Sequence, residues 1–416
     1  MRFFYILLLW LALPLVLLRL FWRSRRQPEY LQHVGERFGA YDPAPARPVL
    51  WLHAVSVGEV RAAQPLVRAL AARYPGHVLL LTCMTPTGRA AAREVYGDAV
   101  TCVYLPYDYP FAVRRFLRHY KPRAGLIMET EVWPNLVAVC ALLRVPLALV
   151  NARLSERSAG RYRKLAGLAR PAFAGLAWVA AQTALDRARL LALGASTVEV
   201  TGNLKFDVTA PPELLARGNQ WKTRRGGRKL FLAASTREGE EALLLDACAP
   251  LLRAGHLLGI VPRHPQRFDE VARLIVTRGY ALARRGAVEM PGADVEVWLG
   301  DSMGEMPAYY AAADCAYVGG SLLRYGGQNL IEACACACPV LLGPHTYNFA
   351  QAADEAVHAG AALRVADAAE LVARAQRLLG SDAECARMGA AGQAFAAAHR
   401  GATARTMALV EKLVRD

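Results

Sequence analysis

Long apolar runs are absent from this 416-residue sequence after its first 26 residues, so a membrane-spanning segment can lie only near the N-terminus. Acidic residues are scarce beside basic ones: 35 Asp and Glu stand against 50 Lys and Arg, a net charge of +15. Such a surplus favours anionic partners, such as phosphorylated substrates, lipid headgroups or nucleic acid. The sequence has no long basic arm and no stripe of basic and aromatic residues, which argues against nucleic-acid binding.

The nine cysteines include no Cys-x-x-Cys pair, and their number is odd. This usage does not fit a disulfide framework and favours buried, reduced thiols in a cytosolic compartment. The densest group is C-A-C-A-C at 334–338, for which a thiol metal site is the alternative interpretation. No His or fourth Cys lies close to it in the sequence, so we interpret these cysteines as small apolar core residues and predict no metal site.

The N-terminal segment has three possible interpretations. Residues 3–18 carry no charge, and Arg19 alone interrupts the apolar run before a basic cluster at 23–26. A signal peptide would need a small-residue cleavage site, and none follows the run. A spanning helix and a shallower, partly inserted anchor both stay open, because the run barely reaches the length that spans and Pro14 favours a kink. We predict an uncleaved anchor at 1–26, with the rest of the chain on the cytoplasmic side by the positive-inside rule.

Short β-rich apolar runs alternate with helical patterns from about residue 47 onward. This alternation predicts parallel strands covered by helices on both faces. Residues 209–228 contain paired prolines, glycines and a basic cluster, and we interpret them as a linker. The predicted fold is α/β, with two doubly wound Rossmann-like domains at 27–208 and 229–416. The predicted strands lie at 49–55, 77–83, 100–106, 124–129, 146–150, 177–182 and 198–202, then 229–235, 256–262, 296–300, 315–320, 339–343 and 361–366.

Polar motifs follow strands of the first half, at the sheet edge where doubly wound folds bind ligands; with two halves, the expected site is the cleft between them. In HAVSVGEV, Glu59 suits a general base, although favouring a helix dipole is the alternative. In TPTGR, Arg89 and two threonines suit an anion cradle or an ordinary helix cap. In METEVWPN, Glu129 and Glu131 suit substrate hydroxyls or an internal ion pair. Lys205 in GNLKFD suits a phosphate or carboxylate, or is simply solvated.

The second half carries four such motifs: STRE, PRHPQRF, GDSMGEM and GGSLLRYGGQNLIEA. The first offers hydroxyls at a helix start, and the second holds a cationic pair between two prolines. The third gives backbone access at a glycine, and the fourth puts a carboxylate one helical turn from an asparagine. Four strand-end motifs together predict a site for a phosphorylated ligand. Their candidate residues are Ser235, Thr236, Arg263, His264, Gly304, Asn329 and Glu332.

Taken together, these motifs resemble the bacterial Kdo transferase family, whose members transfer 3-deoxy-D-manno-octulosonic acid (Kdo). HAVSVGEV, TPTGR, METEVWPN, NARLSERS, TGNLKFD, ASTREGEE, VPRHPQRF, GDSMGEM, YVGGS and GPHTYNF occur in the family's order and spacing over about residues 27–400. The resemblance implies a GT-B fold and an inverting transfer of Kdo from CMP-Kdo to a lipid A precursor at the cytoplasmic face of the cell inner membrane. It also implies that no metal or other cofactor is needed, and it leaves the oligomeric state open.

The resemblance further implies roles for single residues. Glu59 is the expected general base, while Arg89, Glu129 and Glu131 belong to the acceptor side or support Glu59. Lys205 is expected near the charged groups of the donor. The residues expected to hold CMP are Ser235, Thr236, Arg263, His264, Gly304, Glu305, Met306, Asn329 and Glu332.

One element departs from the family pattern. Where the family has G-G-H-N, this chain has Gln328 in G-G-Q-N, and Gln keeps hydrogen-bonding capacity but does not titrate. Two other functions stay open: a GT-B transferase or epimerase that uses a UDP-sugar, and a non-catalytic nucleotide-binding or membrane scaffold. The presence of Glu59, Lys205, Arg263 and Glu332 argues against the scaffold.

Overall fold

The computed structural model describes residues 1–25 and 27–414, which form two compact units. The first unit runs from Met1 to Val208 and includes the C-terminal stretch that begins at Arg400. The second unit runs from Thr209 to His399. Arg26, the last residue of the predicted anchor, lies outside the described residues.

The first unit contains one seven-stranded parallel sheet. Its strands are β1 (Val49–His53), β2 (Val78–Cys83), β3 (Thr101–Tyr104), β4 (Ala124–Met128), β5 (Leu147–Ala152), β6 (Val179–Ala181) and β7 (Val198–Val200). They are ordered β3-β2-β1-β4-β5-β6-β7. Every residue of β1, β4, β5 and β6 is buried, as expected for strands covered on both faces.

The second unit contains another seven-stranded parallel sheet. Its strands are β8 (Leu230–Thr236), β9 (Leu257–Pro262), β10 (Leu282–Arg284), β11 (Val297–Leu299), β12 (Cys315–Val318), β13 (Val340–Leu342) and β14 (Ala362–Arg364). They are ordered β10-β11-β9-β8-β12-β13-β14. In both sheets the first strand along the chain lies inside the sheet and the order reverses beside it, so the predicted doubly wound α/β fold is confirmed.

Helices connect the strands in both units. The first unit has α1 (Arg2–Ser24), α2 (Val57–Ala62), α3 (Gln64–Arg73), α4 (Pro86–Tyr96), α5 (Pro110–Tyr120), α6 (Pro134–Leu142), α7 (Glu156–Lys164), α8 (Ala166–Ala174), α9 (Ala184–Ala192) and, at the C-terminus, α19 (Ala402–Leu413). The second has α10 (Pro212–Arg224), α11 (Glu240–Ala247), α12 (Ala249–Arg253), α13 (Phe268–Thr277), α14 (Met306–Ala312), α15 (Ile331–Ala335), α16 (Ala350–His358), α17 (Ala368–Leu379) and α18 (Asp382–Ala398). Short 3₁₀ helices lie at Pro28–Leu31, Val34–Phe38, Gly97–Ala99, Leu204–Asp207 and Pro265–Arg267.

The segment 209–228, predicted as a linker, is mostly helical. It forms α10, and the Trp221 side chain of α10 is fully buried against the rings of Trp298 and Tyr309. Gly218 lies so close to Ala308 that a Cβ atom there would meet its carbonyl oxygen at 2.3 Å. The prolines of this segment therefore start a helix rather than mark a flexible connection. Burial of one tryptophan is enough to pack this helix against the unit, although most of its other residues are polar.

The C-terminal helix α19 belongs to the first unit, although the sequence predicts it within the second domain. The Asp207 carboxylate accepts hydrogen bonds from the backbone N–H groups of Gly401 and Thr403 at the start of this helix. Arg405 in turn donates to the carbonyl oxygen of Thr201 at 2.8 Å. A local pattern shows that this segment is helical, but only these contacts show which sheet it packs against.

The N-terminal helix α1 has the length and composition to cross a membrane, as the sequence predicts. It is the one helix of that kind among the described residues. Of its side chains, Leu20 is buried, and most of the apolar ones are exposed.

Candidate active site

Glu59 lies in α2, just beyond the carboxyl end of β1. Its two carboxylate oxygens accept hydrogen bonds from the backbone N–H of Val55 at 2.8 Å and from the Ser56 hydroxyl at 2.9 Å. The Ser56 hydroxyl oxygen also accepts from the Glu59 N–H at 3.4 Å, so the two residues form a capping box at the start of α2. The carboxylate is therefore held in one orientation at the edge of the sheet.

The environment of Glu59 changes its acidity. Burial raises the pKa of the carboxyl to about 7, and the nearby carboxylates of Glu129 and Glu131 raise it further against the lowering effect of the bonds from Val55 and Ser56. A carboxylate with a pKa near neutrality takes up a proton readily and still has a substantial ionised fraction at pH 7, which suits a general base.

Glu129 and Glu131 follow β4 and lie near Glu59. Glu129 has a φ of +57°, a left-handed conformation that is uncommon for a residue with a side chain and that occurs often at functional sites. Glu131 accepts a hydrogen bond from the indole N–H of Trp133 at 2.9 Å. The structure thus brings together three carboxylates that the sequence places in two separate motifs.

His53 packs beneath this cluster, against the Trp133 ring that binds Glu131. It is fully buried at the end of β1, its Nδ1 lies 2.9 Å from the Thr82 hydroxyl, and its ring meets Trp133 edge to face. Desolvation lowers the pKa of His53 to about 4, so the imidazole is neutral at physiological pH. His53 was not among the predicted site residues, although its position at the start of HAVSVGEV could have indicated that it lies beside Glu59.

Arg89 lies in a buried ion pair instead of an open anion cradle. Its guanidinium donates to both carboxylate oxygens of Glu36, at 2.8 and 3.2 Å, and Glu36 also accepts from the backbone N–H of Tyr104. Thr85 caps α4 by accepting from the N–H of Gly88 at 3.0 Å. TPTGR therefore forms an ordinary helix cap, and the sequence analysis missed Glu36 because the partner lies far away along the chain.

Lys205 lies in the 3₁₀ helix Leu204–Asp207 and is half-buried. Its backbone N–H donates to the Asn203 side chain at 3.0 Å, and the N–H of Leu204 donates to Asn151 at 3.0 Å. Asn151 ends β5 with a φ of +52°, so GNLKFD is attached directly to a strand end. Lys205 therefore lies on a backbone segment that is held at its start by these bonds and at its end by the bonds of Asp207 to Gly401 and Thr403.

In the second unit, Ser235 and Thr236 end β8 beside the loop that follows β9. Ser235 has a φ of +56°, and the N–H of Arg263 donates to the Thr236 carbonyl at 3.0 Å. The Thr236 hydroxyl donates to Glu241 at 2.7 Å, so its proton is already used within the protein. Glu241 also binds Arg267 through both oxygens, at 2.7 and 3.0 Å.

Glu240 is the central residue that the sequence analysis missed. It is fully buried, and it accepts from the N–H groups of Arg237 at 2.9 Å and Gly320 at 2.7 Å and from the Tyr317 hydroxyl at 2.6 Å. A Cβ atom on Gly319 would lie 2.4 Å from the Ser235 carbonyl oxygen, so only glycine fits there. The carboxylate joins the β8 loop to the glycine pair after β12, and the doublet Glu-Glu after STREG was the available signal.

Positive charge is concentrated at the ends of β8 and β9. The arginines of this group are Arg237, Arg263 and Arg267, and they face His264. Desolvation and then these three arginines lower the pKa of His264 below its ordinary value, so its imidazole is mainly neutral at pH 7. The predicted cationic pair is therefore one cation, Arg263, beside a neutral hydrogen-bonding ring.

Gly304, Glu305 and Met306 form the entry to α14. Gly304 has a φ of +78°, which favours glycine. The Glu305 carboxylate accepts from Arg217 at 2.6 Å and from Arg285 at 3.0 Å. The Glu305 carboxylate, predicted to hold CMP, therefore forms ion pairs with two arginines of the second unit, which the sequence did not predict.

The last motif joins two glycine pairs. The N–H groups of Gly327 and Gln328 donate to the carbonyl oxygens of Gly320 and Gly319, at 2.7 and 3.0 Å. The Gln328 contact is a main-chain bond that does not depend on the side chain. The Asn329 side chain accepts from the N–H of Ile331, the first residue of α15, at 3.1 Å and donates to Glu332 at 3.1 Å. The predicted pairing of Asn329 with Glu332 is present.

Within residues 1–25 and 27–414, no three His, Cys, Asp or Glu side chains are grouped in a way that could hold a metal ion. In the C-A-C-A-C segment, Cys334 and Cys338 are buried and Cys336 is half-buried, and all three are free thiols.

Known proteins of the same fold define the class. The structure matches a glycosyltransferase from Rickettsia africae with a TM-score of 0.60 at 11% identity, covering 89% of this chain and 100% of that one. It matches UDP-GlcNAc 2-epimerase from Neisseria meningitidis with a TM-score of 0.58 at 15% identity, covering 88% and 100%. Residues 289–395 also match the family model described as glycosyl transferases group 1. The fold and this match place the chain in the GT-B fold class.

More similar sequences identify the family. Residues 32–208 match the family model described as 3-deoxy-D-manno-octulosonic-acid transferase (kdotransferase). A 3-deoxy-D-manno-octulosonic acid transferase from Bordetella pertussis is 48% identical over 413 residues, which is 96% of each chain. The protein of the same name from Haemophilus influenzae is 38% identical over 418 residues, covering 99% of this chain and 98% of that one. The chain belongs to the 3-deoxy-D-manno-octulosonic acid transferase family, as its motifs predict.

Proposed function

We propose that this glycosyltransferase moves Kdo from CMP-Kdo to a lipid A precursor in lipopolysaccharide biosynthesis, with inversion and without a metal ion. Glu59 takes the proton of the acceptor hydroxyl as that oxygen bonds to the anomeric carbon of Kdo, and the bond to CMP breaks on the opposite side. The observation that carries this assignment is the Glu59 carboxylate, which is held by Val55 and Ser56 and has a pKa raised to about 7.

The donor site in this proposal lies at the strand ends of the second unit. CMP gains negative charge as it leaves, and the arginines at the ends of β8 and β9 supply positive charge there without a metal. Arg263 is the main cation in this role, and His264 donates a hydrogen bond as a neutral ring. Asn329 and Glu332 hold the ribose hydroxyls, and Gly304 and Met306 give backbone contacts.

The remaining candidates take supporting roles. Lys205 interacts with the carboxylate or phosphate of the donor. Glu129 and Glu131 bind acceptor hydroxyls and keep the pKa of Glu59 high. Arg89 supports the site at a distance, through its ion pair with Glu36.

The acceptor fits the charge and the N-terminus of the chain. A lipid A precursor is a phosphorylated, acylated sugar that resides in a membrane, and this chain has a net charge of +15 and an apolar N-terminal helix. We place the protein at the inner membrane with both units on the cytoplasmic face, on the basis of the arginines that follow the apolar run.

A transfer assay tests the whole proposal. Purified full-length protein in detergent is mixed with a tetraacylated lipid A precursor and with CMP-Kdo generated in place, in the presence of a chelator, and the products are weighed by mass spectrometry. A mass increase of one or more Kdo units is expected. Product that forms only after a divalent metal is added contradicts metal independence, and no product beside an active reference enzyme contradicts the donor or the acceptor.

A further inference from the structure

One face of helix α1 packs against the first unit, with partly buried positions from Tyr5 to Ser24. The positions that are fully or partly buried recur at helical spacing, which is the pattern of a helix packed on its side. These positions are Tyr5, Ile6, Leu9, Ala12, Leu13, Val16, Leu20 and Ser24.

A partly buried hydrogen bond fixes the N-terminal end of α1. The Tyr5 hydroxyl donates to the Asp108 carboxylate at 3.0 Å. Asp108 is buried and also accepts from the backbone N–H groups of Asn135 and Leu136, at 3.0 and 2.7 Å, so it caps α6. The first turns of α1 are thus bonded to a carboxylate inside the same unit that contains Glu59.

Aromatic contacts extend this attachment. The Tyr109 hydroxyl donates to the carbonyl oxygen of Leu9 at 2.7 Å. The Trp10 ring stacks on Phe111, with ring centroids 5.6 Å apart and planes at 24°. Stacked aromatic pairs of this kind are stabilising beyond their burial, so the middle of α1 is held as well.

These contacts are incompatible with a helix that crosses the bilayer. At 1.5 Å per residue, Tyr5 and Ser24 lie about 28 Å apart along the axis, which is close to the thickness of the hydrocarbon core of about 30 Å. A spanning α1 would carry Tyr5 to the far side of the membrane and would leave Asp108 without this partner. Keeping the contact would instead require the Asp108 region of the unit to enter the hydrocarbon.

The outer face of α1 has the composition of a helix that lies in a membrane surface. Its large exposed side chains are apolar, and exposed arginines flank them at both ends, which suits acyl chains below and anionic headgroups beside the helix. The exposed apolar residues are Phe3, Phe4, Leu7, Leu8, Trp10, Leu11, Leu15, Leu17, Leu18, Phe21 and Trp22. The exposed arginines are Arg2, Arg19, Arg23 and Arg25.

We propose that α1 does not span the membrane but lies in the plane of an anionic bilayer surface, fixed to the first unit by Tyr5, Leu9 and Trp10. The chain is then bound to one leaflet only, and its N-terminus lies on the same side of the membrane as its C-terminus. This goes beyond the proposed function, which needs an attachment to the membrane but not this mode of it.

Protease access to short epitope tags tests this arrangement without using the transferase activity. One full-length form carries a tag before Met1, and a matched form carries the same tag after the C-terminus. Both tags are expected to be cleaved in inside-out vesicles and protected in intact spheroplasts, with detergent-treated samples as the control for cleavage. Cleavage of the N-terminal tag from the spheroplast side, with the C-terminal tag protected, overturns the proposal.

The variant Tyr5→Phe tests the attachment itself in purified full-length protein. Loss of the bond to Asp108 is expected to lower Tm by about 2–4 °C, the shift that about one hydrogen bond gives in a domain of this size. Phe4→Leu is the matched control, because Phe4 is exposed beside Tyr5, and its Tm is expected to stay unchanged. An unchanged Tm for Tyr5→Phe shows that α1 is not fixed to the unit and overturns the proposal.

Discussion

Glu59 in the first unit and Glu240 in the second occupy corresponding places, since each follows the first strand of its sheet at the start of a helix. Glu240 accepts hydrogen bonds from Arg237, which follows β8, from Tyr317 in β12 and from Gly320 just after β12. Glu59 accepts only from its own loop and has other carboxylates nearby, and its pKa is raised to about 7. Glu240 therefore uses its oxygens to hold two parts of the fold together, whereas the raised pKa of Glu59 suits it to take up a proton.

Among the variants that test this contrast between Glu59 and Glu240, Glu59→Gln is expected to have the largest effect, a loss of transfer activity. Gln keeps the acceptor oxygen of the capping box but cannot take a proton, so the transfer rate should fall by about 10²–10⁴-fold with little change in Tm. CMP affinity, measured by calorimetry, should stay the same because the donor site belongs to the second unit. Glu94→Gln, at an exposed position on the neighbouring α4, serves as the matched control. Full activity in Glu59→Gln would remove the base from this position.

Glu240→Ala should give the opposite result, a loss of stability. Four backbone N–H groups and the Tyr317 hydroxyl lose an acceptor, so the free energy of unfolding should fall by about 2–4 kcal/mol in denaturant titrations. Glu238→Ala, two residues away and exposed, should change little. If the Glu240→Ala protein keeps full stability and loses only transfer activity, Glu240 does not stabilise the fold and the contrast with Glu59 is wrong.

Arg263→Ala should weaken CMP binding by more than about 1.5 kcal/mol, which is the contribution of a charge-assisted hydrogen bond and about tenfold in Kd. Arg253→Ala, at an exposed position at the end of α12, removes the same charge elsewhere in the unit and should leave the Kd unchanged. Equal Kd values for the Arg263→Ala and wild-type proteins would exclude Arg263 from the donor site.

The pH dependence of transfer should report the raised pKa of Glu59. The base form is the ionised carboxylate, so the rate under low acceptor concentration should rise about tenfold per pH unit below 7 and level off above it. A rate that is flat from pH 5 to 8 would show that Glu59 does not titrate as its surroundings indicate.

Much of the fold could be predicted because strands buried on both faces are recognisable as short apolar runs. Thirteen predicted runs correspond to strands, and β10 was missed because its three residues include only one that is buried. The segment at 209–228 was misread because one tryptophan gives α10 its core contact, and a single residue does not create a visible pattern. Likewise, no local feature of α19 indicates that Asp207 caps it.

The candidate site divides in the same way. The local placement of Glu59, Asn329 and Glu332 could be predicted because each is held by short-range bonds within one motif. Arg89 and Glu305 were found as charged residues in motifs, but their partners Glu36, Arg217 and Arg285 lie far away along the chain. Their side chains are engaged by contacts that no local spacing encodes.

The sequence by itself determined two parallel α/β units, the strand-end positions of the polar motifs, the apolar N-terminal helix and the family. Only the tertiary structure decided which carboxylate is satisfied and which has a raised pKa, that His264 is neutral, that α19 joins the first unit, and that α1 lies along that unit through Tyr5 and Asp108. Periodicity and local bonds follow from neighbouring residues, whereas desolvation and ion pairing depend on atoms that only folding brings together.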